Sequence, residues 1–158
     1  MFGSSPSRGP LQAGDPAPAL TAVSDTGDRV DLAAVYGRQE WTLVYFYPKD
    51  DTPGCTKQGC ALRDGYAELT RRGVAVFGVS RDDVAAQAAF KAKYRLPFTL
   101  LADTEGAVVA AFGVPSYPLV GTPRRQAYLV RGGKIVYADH AGNTVEQANV
   151  ILRFIAGA

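Results

Sequence analysis

The stretch from Trp41 to Tyr47 constrains the fold of this chain more than any other. Its sequence, WTLVYFY, is an unbroken run of aromatic, aliphatic and β-branched side chains. A strand with one face in water alternates polar and apolar residues, whereas a strand buried on both faces carries a continuous apolar run. This run therefore predicts a central strand that is covered by a layer of structure on each side.

Strand and helix patterns alternate along the chain after this run. The apolar segments Val74–Val79 and Phe98–Leu101 predict two further strands. Between them, Asp83–Tyr94 has the composition of a helix, with apolar residues at four-residue spacing. These residues are Val84, Ala88 and Ala92. Strands that alternate with helices are typical of the α/β class.

The C-terminal part of the chain predicts a hairpin followed by a helix. Gln126–Arg131 and Lys134–Ala138 are joined by Gly132-Gly133, a two-residue connection that favours a β-hairpin. The closing helix carries one apolar stripe, formed by Val145, Ala148, Leu152 and Ile155. A weaker hairpin pattern covers Leu20–Val30. Together the patterns predict an α/β fold with a central mixed β-sheet flanked by helices.

Length and composition favour one globular domain. The chain has 158 residues, of which 47 % are hydrophobic and 20 % are charged. A domain of this size can bury about 70 % of its unfolded surface without a metal or a disulfide. Residues 1–12 are rich in Gly, Ser and Pro, which predicts a flexible tail ahead of a single domain over residues 13–158.

Charge and residue counts exclude several classes of function. The net charge of +2 provides no basic surface for nucleic acid or for an anionic membrane. One His and two Cys are too few soft ligands for a zinc finger, a haem or an iron–sulfur cluster. No apolar run approaches the ~20 residues that span a bilayer, and residues 1–12 lack the apolar run of a secretory signal. We therefore expect a cytoplasmic protein, where two cysteines are more often chemical than structural.

The turn after the buried strand brings a cysteine to the start of a helix. Thr52 and Pro53 predict the N-cap and the first helical residue, so that Gly54 and Cys55 fall in the first turn. A sulfur in that turn faces free backbone N–H groups and the positive end of the helix dipole, which favour thiolate over thiol. The pattern predicts an activated nucleophile, and the alternative is an inert residue of a capping turn.

Cys60 lies further along the same predicted helix. Five-residue spacing in an intact helix separates two Cα atoms by ~8.6 Å, whereas a disulfide tolerates at most about 7 Å. The two cysteines can therefore pair only if part of the helix unwinds, and Gly59 lowers the cost of that unwinding. A structural disulfide is not expected. The spacing leaves open whether Cys60 reacts or is a small buried hydrophobe.

The sequence of Phe46–Lys57, FYPKDDTPGCTK, resembles the active-site signature of the peroxiredoxins. The Cys-x-x-x-x-Cys spacing is similar to that of their Q-type branch, also called bacterioferritin comigratory protein. The similarity extends to Gly14–Pro18, Phe98–Asp103 and Arg125–Val130, and covers about residues 13–157. The resemblance implies a thioredoxin-like fold with an N-terminal extension. It also implies that thiol chemistry reduces hydroperoxides without a metal or other cofactor.

The resemblance implies a role for each residue of the site. Cys55 is expected to be the peroxidatic cysteine and Cys60 the resolving one. Pro48 is expected to shield the thiolate from solvent, and the hydroxyl of Thr52 to hydrogen-bond the sulfur and the peroxide. Arg125 is expected to hold a positive charge beside both. Thioredoxin or a similar dithiol protein is the expected reductant, and a monomer is favoured.

Some residues leave alternatives open. The family often has Glu where this chain has Gln58, and an amide offers no carboxylate to orient an arginine. The role of Pro48 could be limited to ending a strand, and that of Thr52 to capping a helix. Spacing alone does not distinguish Arg125 from Arg124. Thiol–disulfide exchange on proteins is one alternative function, although such sites carry Cys-x-x-Cys. A metal-delivery or sensor module is the other, and it needs a third soft ligand beside the two cysteines, for which His140 is the only histidine.

Overall fold

A computed structural model describes residues 9–142 and 144–158. The strands are β1 (Thr21–Val23), β2 (Arg29–Asp31), β3 (Trp41–Phe46), β4 (Val74–Ser80), β5 (Thr99–Ala102), β6 (Gln126–Arg131) and β7 (Lys134–Asp139). The helices are α1 (Leu32–Arg38), α2 (Pro53–Asp64), α3 (Tyr66–Arg71), α4 (Val84–Tyr94), α5 (Ala107–Phe112) and α6 (Gln147–Ala156). Within the described ranges, no helix is long and apolar enough to cross a membrane.

The N-terminal tail is described only in part. Residues 1–8 of the expected flexible segment lie outside the described residues. Further along, the N–H of Leu11 donates to the carbonyl of Phe112 at 3.0 Å, and the N–H of Gln12 donates to the carboxylate of Asp15 at 2.7 Å. Contacts with the rest of the chain therefore begin before residue 13.

Five strands form one mixed sheet in the order β5–β4–β3–β6–β7. β3 pairs in parallel with β4 and antiparallel with β6, and β5 and β7 extend the two sides. Every residue of β3 is buried, which confirms the central strand that the continuous apolar run predicts. The strands β4 and β5 confirm the two other predicted strands.

Alternate side chains of β3 and of Tyr47, which follows it, contribute to two separate hydrophobic cores. Leu43, Tyr45 and Tyr47 belong to the core under α2, α3, α4 and α6. Val44 and Phe46 belong to the core on the opposite face, with α1, α5 and strand β1. The aromatic run is therefore structural, because both of its faces are needed to attach the two helical layers.

The predicted hairpins and the closing helix are confirmed. β6 and β7 are joined by Gly132 and Gly133, whose φ angles of +60° and +76° favour glycine, and β1 pairs antiparallel with β2. In α6 the predicted stripe is buried at Ala148 and Ile155. Val145 precedes the helix and is 52 % exposed.

Helix α4 is present as predicted, but its four-residue apolar spacing does not mark its buried face. Ala88 and Ala92 are exposed, and the buried residues of this helix are Gln87 and Phe90. A phenyl ring removes far more apolar surface from water than a methyl group does. The position of Phe90 therefore decides which side of the helix faces the sheet.

Gly78 in β4 lies where the core has no space for a side chain. A Cβ at this position would lie 2.8 Å from the side chains of Leu100 and Tyr45. We predict that Gly78→Ala lowers the free energy of unfolding by about 1–3 kcal/mol, because overpacking forces neighbours from their preferred rotamers. Urea denaturation measures this change.

The matched control for this substitution is Gly37→Ala. Gly37 lies in α1, where an added Cβ meets nothing within 4 Å. The control should leave stability unchanged or raise it by at most about 1 kcal/mol, through helix propensity. Equal losses of stability in the two variants would show that packing at Gly78 is not the cause.

Candidate active site

The loop 47–52 leads from the buried end of β3 to the start of α2. Thr52 is the N-cap, with φ −94° and ψ 157°, and Pro53 is the first helical residue, as predicted. The side chain of Thr52 makes no capping hydrogen bond, and its hydroxyl donates to the carbonyl of Lys49 at 2.9 Å. Pro48 is half-buried in the same loop. The first turn of α2 therefore keeps backbone N–H groups that the N-cap side chain does not cover.

Cys55 lies in this first turn and contacts a guanidinium group. Only 2 % of the residue is exposed, and Nη2 of Arg125 donates to its Sγ at 3.4 Å. Gly54 makes room for this contact, since a Cβ there would lie 3.0 Å from Nη2. A fixed positive charge and a helix N-terminus both favour negative charge on the sulfur. The predicted pairing of Cys55 with Arg125 is present in the structure.

The register of the sheet explains why Arg125 reaches the cysteine. β3 and β6 pair Phe46 with Gln126, so Arg125 stands next to the end of β3, where the chain turns towards α2. The neighbouring Arg124 points elsewhere, and its guanidinium lies 4.5 Å from the ring centroid of Tyr117. The structure thus separates two arginines that sequence spacing did not distinguish.

Gln58 orients Arg125, a role that was not predicted for it. The glutamine is fully buried, and its Oε1 accepts a hydrogen bond from Arg125 Nη1 at 2.6 Å. Gln58 and Cys55 are three positions apart, so they lie on the same side of α2 and hold two nitrogens of one guanidinium. An amide oxygen therefore holds the arginine here, without a carboxylate.

Cys60 lies on the same helix as Cys55, and both thiols are free. Helix α2 is continuous through both residues, so the two side chains leave it on different faces. A Cβ at Gly59, next to Cys60, would make ordinary van der Waals contacts, 3.5 Å from Leu96 and 3.7 Å from Phe90. The structure does not bring the two sulfurs together, and a bond between them requires the helix to unwind.

The loop also contains a half-buried carboxyl group, that of Asp50, for which the sequence predicted no role. The Oη of Tyr47 lies 2.7 Å from Asp50 Oδ1 and 2.8 Å from Gln87 Oε1. Gln87 donates its amide N–H to the Leu101 carbonyl, so its oxygen faces the tyrosine. The Tyr47 hydroxyl has one proton for these two oxygen contacts. A protonated Asp50 supplies the proton for the second hydrogen bond. Burial raises the pKa of Asp50 to about 7; the Tyr47 hydrogen bond, the next-largest effect, opposes this rise, and the charge of Asp82 adds to it.

The metal-binding alternative lacks a suitable group of side chains. Across residues 9–142 and 144–158, no three His, Cys, Asp or Glu side chains are placed so that they could hold a metal ion. The ring of His140 instead hydrogen-bonds the carbonyl of Leu11 at 2.7 Å. The histidine that this alternative needed is thus engaged at the N-terminal segment.

Comparisons with known proteins agree with one another. The AhpC/TSA family profile matches residues 13–138. A putative peroxiredoxin bcp of Coxiella burnetii is 45 % identical over 104 residues, which are 66 % of this chain and 68 % of that protein. The chain spans only 54–59 % of the length of the chloroplastic peroxiredoxin Q proteins that it matches in plants.

Two solved structures have the same fold. Peroxidoxin BcpB from Mycobacterium tuberculosis matches with a TM-score of 0.85 and 28 % identity, over 93 % of this chain and 97 % of that one. The bacterioferritin comigratory protein of Xanthomonas campestris was described for its alkyl peroxide reduction activity. It matches with a TM-score of 0.82 and 29 % identity, over 92 % of this chain and 98 % of that one. These matches confirm the expected thioredoxin-like fold.

The raised pKa of Asp50 predicts how stability depends on pH. The folded chain holds this proton up to about pH 7, whereas an unfolded carboxyl with the ordinary pKa of 3.8 releases it earlier. Stability should therefore fall as the pH rises through this window, because the folded state binds more protons than the unfolded state. Asp50→Asn keeps a neutral hydrogen-bonding side chain and should reduce the fall. Urea denaturation at several pH values measures it, and parallel curves for variant and wild type would contradict the prediction.

Proposed function

The chain belongs to the AhpC/TSA family of peroxiredoxins, in its Q-type branch, and we propose that it is a thiol-dependent peroxidase acting through Cys55. Its substrates are hydrogen peroxide and organic hydroperoxides. The observation that carries this proposal is the 3.4 Å contact between Arg125 Nη2 and Cys55 Sγ at the first turn of α2. A sulfur placed there faces a fixed positive charge, which can stabilise the negative charge that develops during attack on a peroxide.

In the first step, the Cys55 thiolate attacks one oxygen of the hydroperoxide. A sulfur–oxygen bond forms as the oxygen–oxygen bond breaks, Cys55 becomes a sulfenic acid, and the second oxygen leaves with a proton as water or an alcohol. Negative charge moves along the oxygen–oxygen bond during this step. Arg125 and the N–H groups of the first turn, including that of Cys55, stabilise this charge without rearranging, which lowers the barrier.

Pro48 and Thr52 support the first step. Pro48 is half-buried in the loop that precedes α2, which suits a residue that keeps water from the sulfur. In the reduced protein the Thr52 hydroxyl donates to the carbonyl of Lys49. Its oxygen is therefore free to accept a hydrogen bond from a peroxide, and rotation of the hydroxyl turns the donor towards the sulfur.

In the second step, Cys60 attacks the sulfenic sulfur of Cys55. The new disulfide releases the sulfenic oxygen as water, with protons from the Cys60 thiol and the sulfenic acid. Because both cysteines belong to one continuous helix, part of α2 must unwind first. Gly59 has a low helix propensity, which lowers the cost of unwinding this segment.

A dithiol protein of the thioredoxin type completes the cycle. Its thiolate attacks the disulfide, and a second exchange releases both cysteines of this chain as thiols while the reductant becomes a disulfide. This step requires a compartment that supplies reduced dithiols, such as the cytoplasm. Arg125, Gln58 and both cysteines belong to the same chain, so the proposed cycle requires no residue from a second copy, and we propose a monomer.

Removing the Cys55 thiol tests the proposal most simply. We predict that Cys55→Ser consumes hydrogen peroxide and cumene hydroperoxide only at the background rate, because a serine hydroxyl is not ionised at neutral pH. A thioredoxin-coupled assay and direct measurement of residual peroxide report the loss. Wild-type rates in this folded variant would contradict the proposed function.

Removing the Cys60 thiol separates the two steps of the cycle. We predict that Cys60→Ser still reduces one equivalent of peroxide at nearly the wild-type rate but loses turnover with thioredoxin. Mass spectrometry of the variant treated with dimedone should show labelling at Cys55, the mark of a sulfenic acid. Sustained turnover with thioredoxin would remove Cys60 from the mechanism.

A further inference from the structure

A series of hydrogen bonds continues from Arg125 into the interior and ends at a carboxylate. Gln58 accepts from Arg125 and donates its Nε2 to Gln147 Oε1 at 3.1 Å. Gln147 then donates its own Nε2 to Asp139 Oδ2 at 3.4 Å. Both glutamines are fully buried. We call Gln58, Gln147 and Asp139 the amide relay.

The chemistry of the two ends fixes the direction of every hydrogen bond in the relay. A guanidinium only donates, so the oxygen of Gln58 must face Arg125 and its nitrogen must face the next residue. Gln147 must present its oxygen to Gln58, which turns its nitrogen towards Asp139. A carboxylate only accepts, and it therefore completes the series. Turning either amide over would place two donors or two acceptors against each other in the interior.

Asp139 also holds the backbone next to Arg125. Its Oδ1 accepts from the N–H groups of Ala141 and Gly142, at 3.1 Å and 3.0 Å. Gly142, with a φ of +59°, packs so closely on Arg125 that a Cβ would lie 2.4 Å from the arginine carbonyl oxygen. One oxygen of Asp139 thus supports the turn against the Arg125 backbone, while the other ends the relay that holds the guanidinium.

We propose that Gln147 and Asp139 are positioning residues that set the placement of Arg125 against Cys55 through Gln58. This inference rests on the proposed peroxidase function and names residues on β7 and α6 that act without touching the sulfur. The relay transmits hydrogen-bond direction rather than charge. It holds the guanidinium in place without a carboxylate next to Arg125, which leaves the positive charge of the guanidinium to act on the sulfur.

The relay predicts a specific conflict in the variant Gln58→Glu. A carboxylate at position 58 only accepts, so Gln147 must turn its nitrogen towards that carboxylate. The oxygen of Gln147 then faces the carboxylate of Asp139, and two acceptors meet. Asp139→Asn removes this conflict, because its amide nitrogen can donate to Gln147 while its oxygen keeps the two backbone hydrogen bonds.

The experiment compares wild type, Gln58→Glu, Asp139→Asn and the double variant. The rate of the first turnover with hydrogen peroxide is measured on fully reduced protein, well below each melting temperature. We expect each single variant to be about 10- to 100-fold slower, since displacement of a positioned catalytic group by about 1 Å has effects of that size. The double variant should recover to within about threefold of wild type, because the relay then runs consistently in the reverse direction.

A control variant and a second measurement separate hydrogen-bond direction from added charge. Gln39→Glu, at the end of α1 on the opposite face of the sheet, makes the same charge change as Gln58→Glu and should keep the wild-type rate. The alkylation rate of Cys55 by iodoacetamide is measured in parallel, since it reports the arginine contact without peroxide. Wild-type rates in the folded single variants, or a double variant no faster than Gln58→Glu, would overturn the relay. If wild type itself reduces no peroxide, the proposed function fails, and the alkylation pattern alone decides whether the relay positions Arg125.

Discussion

The contact between the guanidinium of Arg125 and the sulfur of Cys55 depends on nearly every other feature of the fold. The two side chains are 70 positions apart in sequence. They meet because β3 pairs antiparallel with β6, which sets the start of β6 beside the turn into α2. Gly54 leaves the space for the approach, and Gln58 holds the second nitrogen of the guanidinium. The chemistry of the site is therefore a consequence of strand register, one missing side chain and one buried amide.

Side-chain hydrogen bonds fix the loop before α2, whereas α2 itself contains a residue of low helix propensity beside Cys60. Asp51 accepts hydrogen bonds from Lys93 and Tyr94 at the end of α4, at 2.7 Å and 2.5 Å, and Asp50 is tied to Tyr47. These contacts fix the loop before the first turn of α2, where the sulfur must be placed accurately. Further along, Gly59 interrupts helix propensity next to Cys60. This division suits the proposed cycle, in which the site is rigid when peroxide binds and part of α2 unwinds before Cys60 attacks.

The sequence predicts those parts of this structure that rest on strong local signals. The run at Trp41–Tyr47 required burial on both faces, and Gly132-Gly133 specified a hairpin, so the mixed sheet followed. Thr52 and Pro53 marked the start of α2 and placed Cys55 in its first turn. The alanine spacing marked α4 as a helix but not its buried face, because alanines carry little burial energy and the ring of Phe90 decides it.

Contacts between distant segments could not be predicted in this way. Gln58 and Gln147 are 89 positions apart, and no local pattern marks either as a partner of the other. Arg125 was singled out from Arg124 only by resemblance, and the sheet register then supplied the physical reason. Burial of Asp50 depends on Tyr47 and Gln87, which come together only when α4 packs on the sheet.

The most direct test of the proposed mechanism replaces each of the two adjacent arginines with methionine. The second-order rate constant for oxidation of Cys55 by hydrogen peroxide is measured in a single turnover for Arg125→Met and for Arg124→Met, whose guanidinium lies over Tyr117. We predict a loss of about 100-fold or more for Arg125→Met and a rate close to wild type for Arg124→Met. Equal rates in the two variants would show that the guanidinium beside the sulfur does not control its reaction, and would contradict the mechanism.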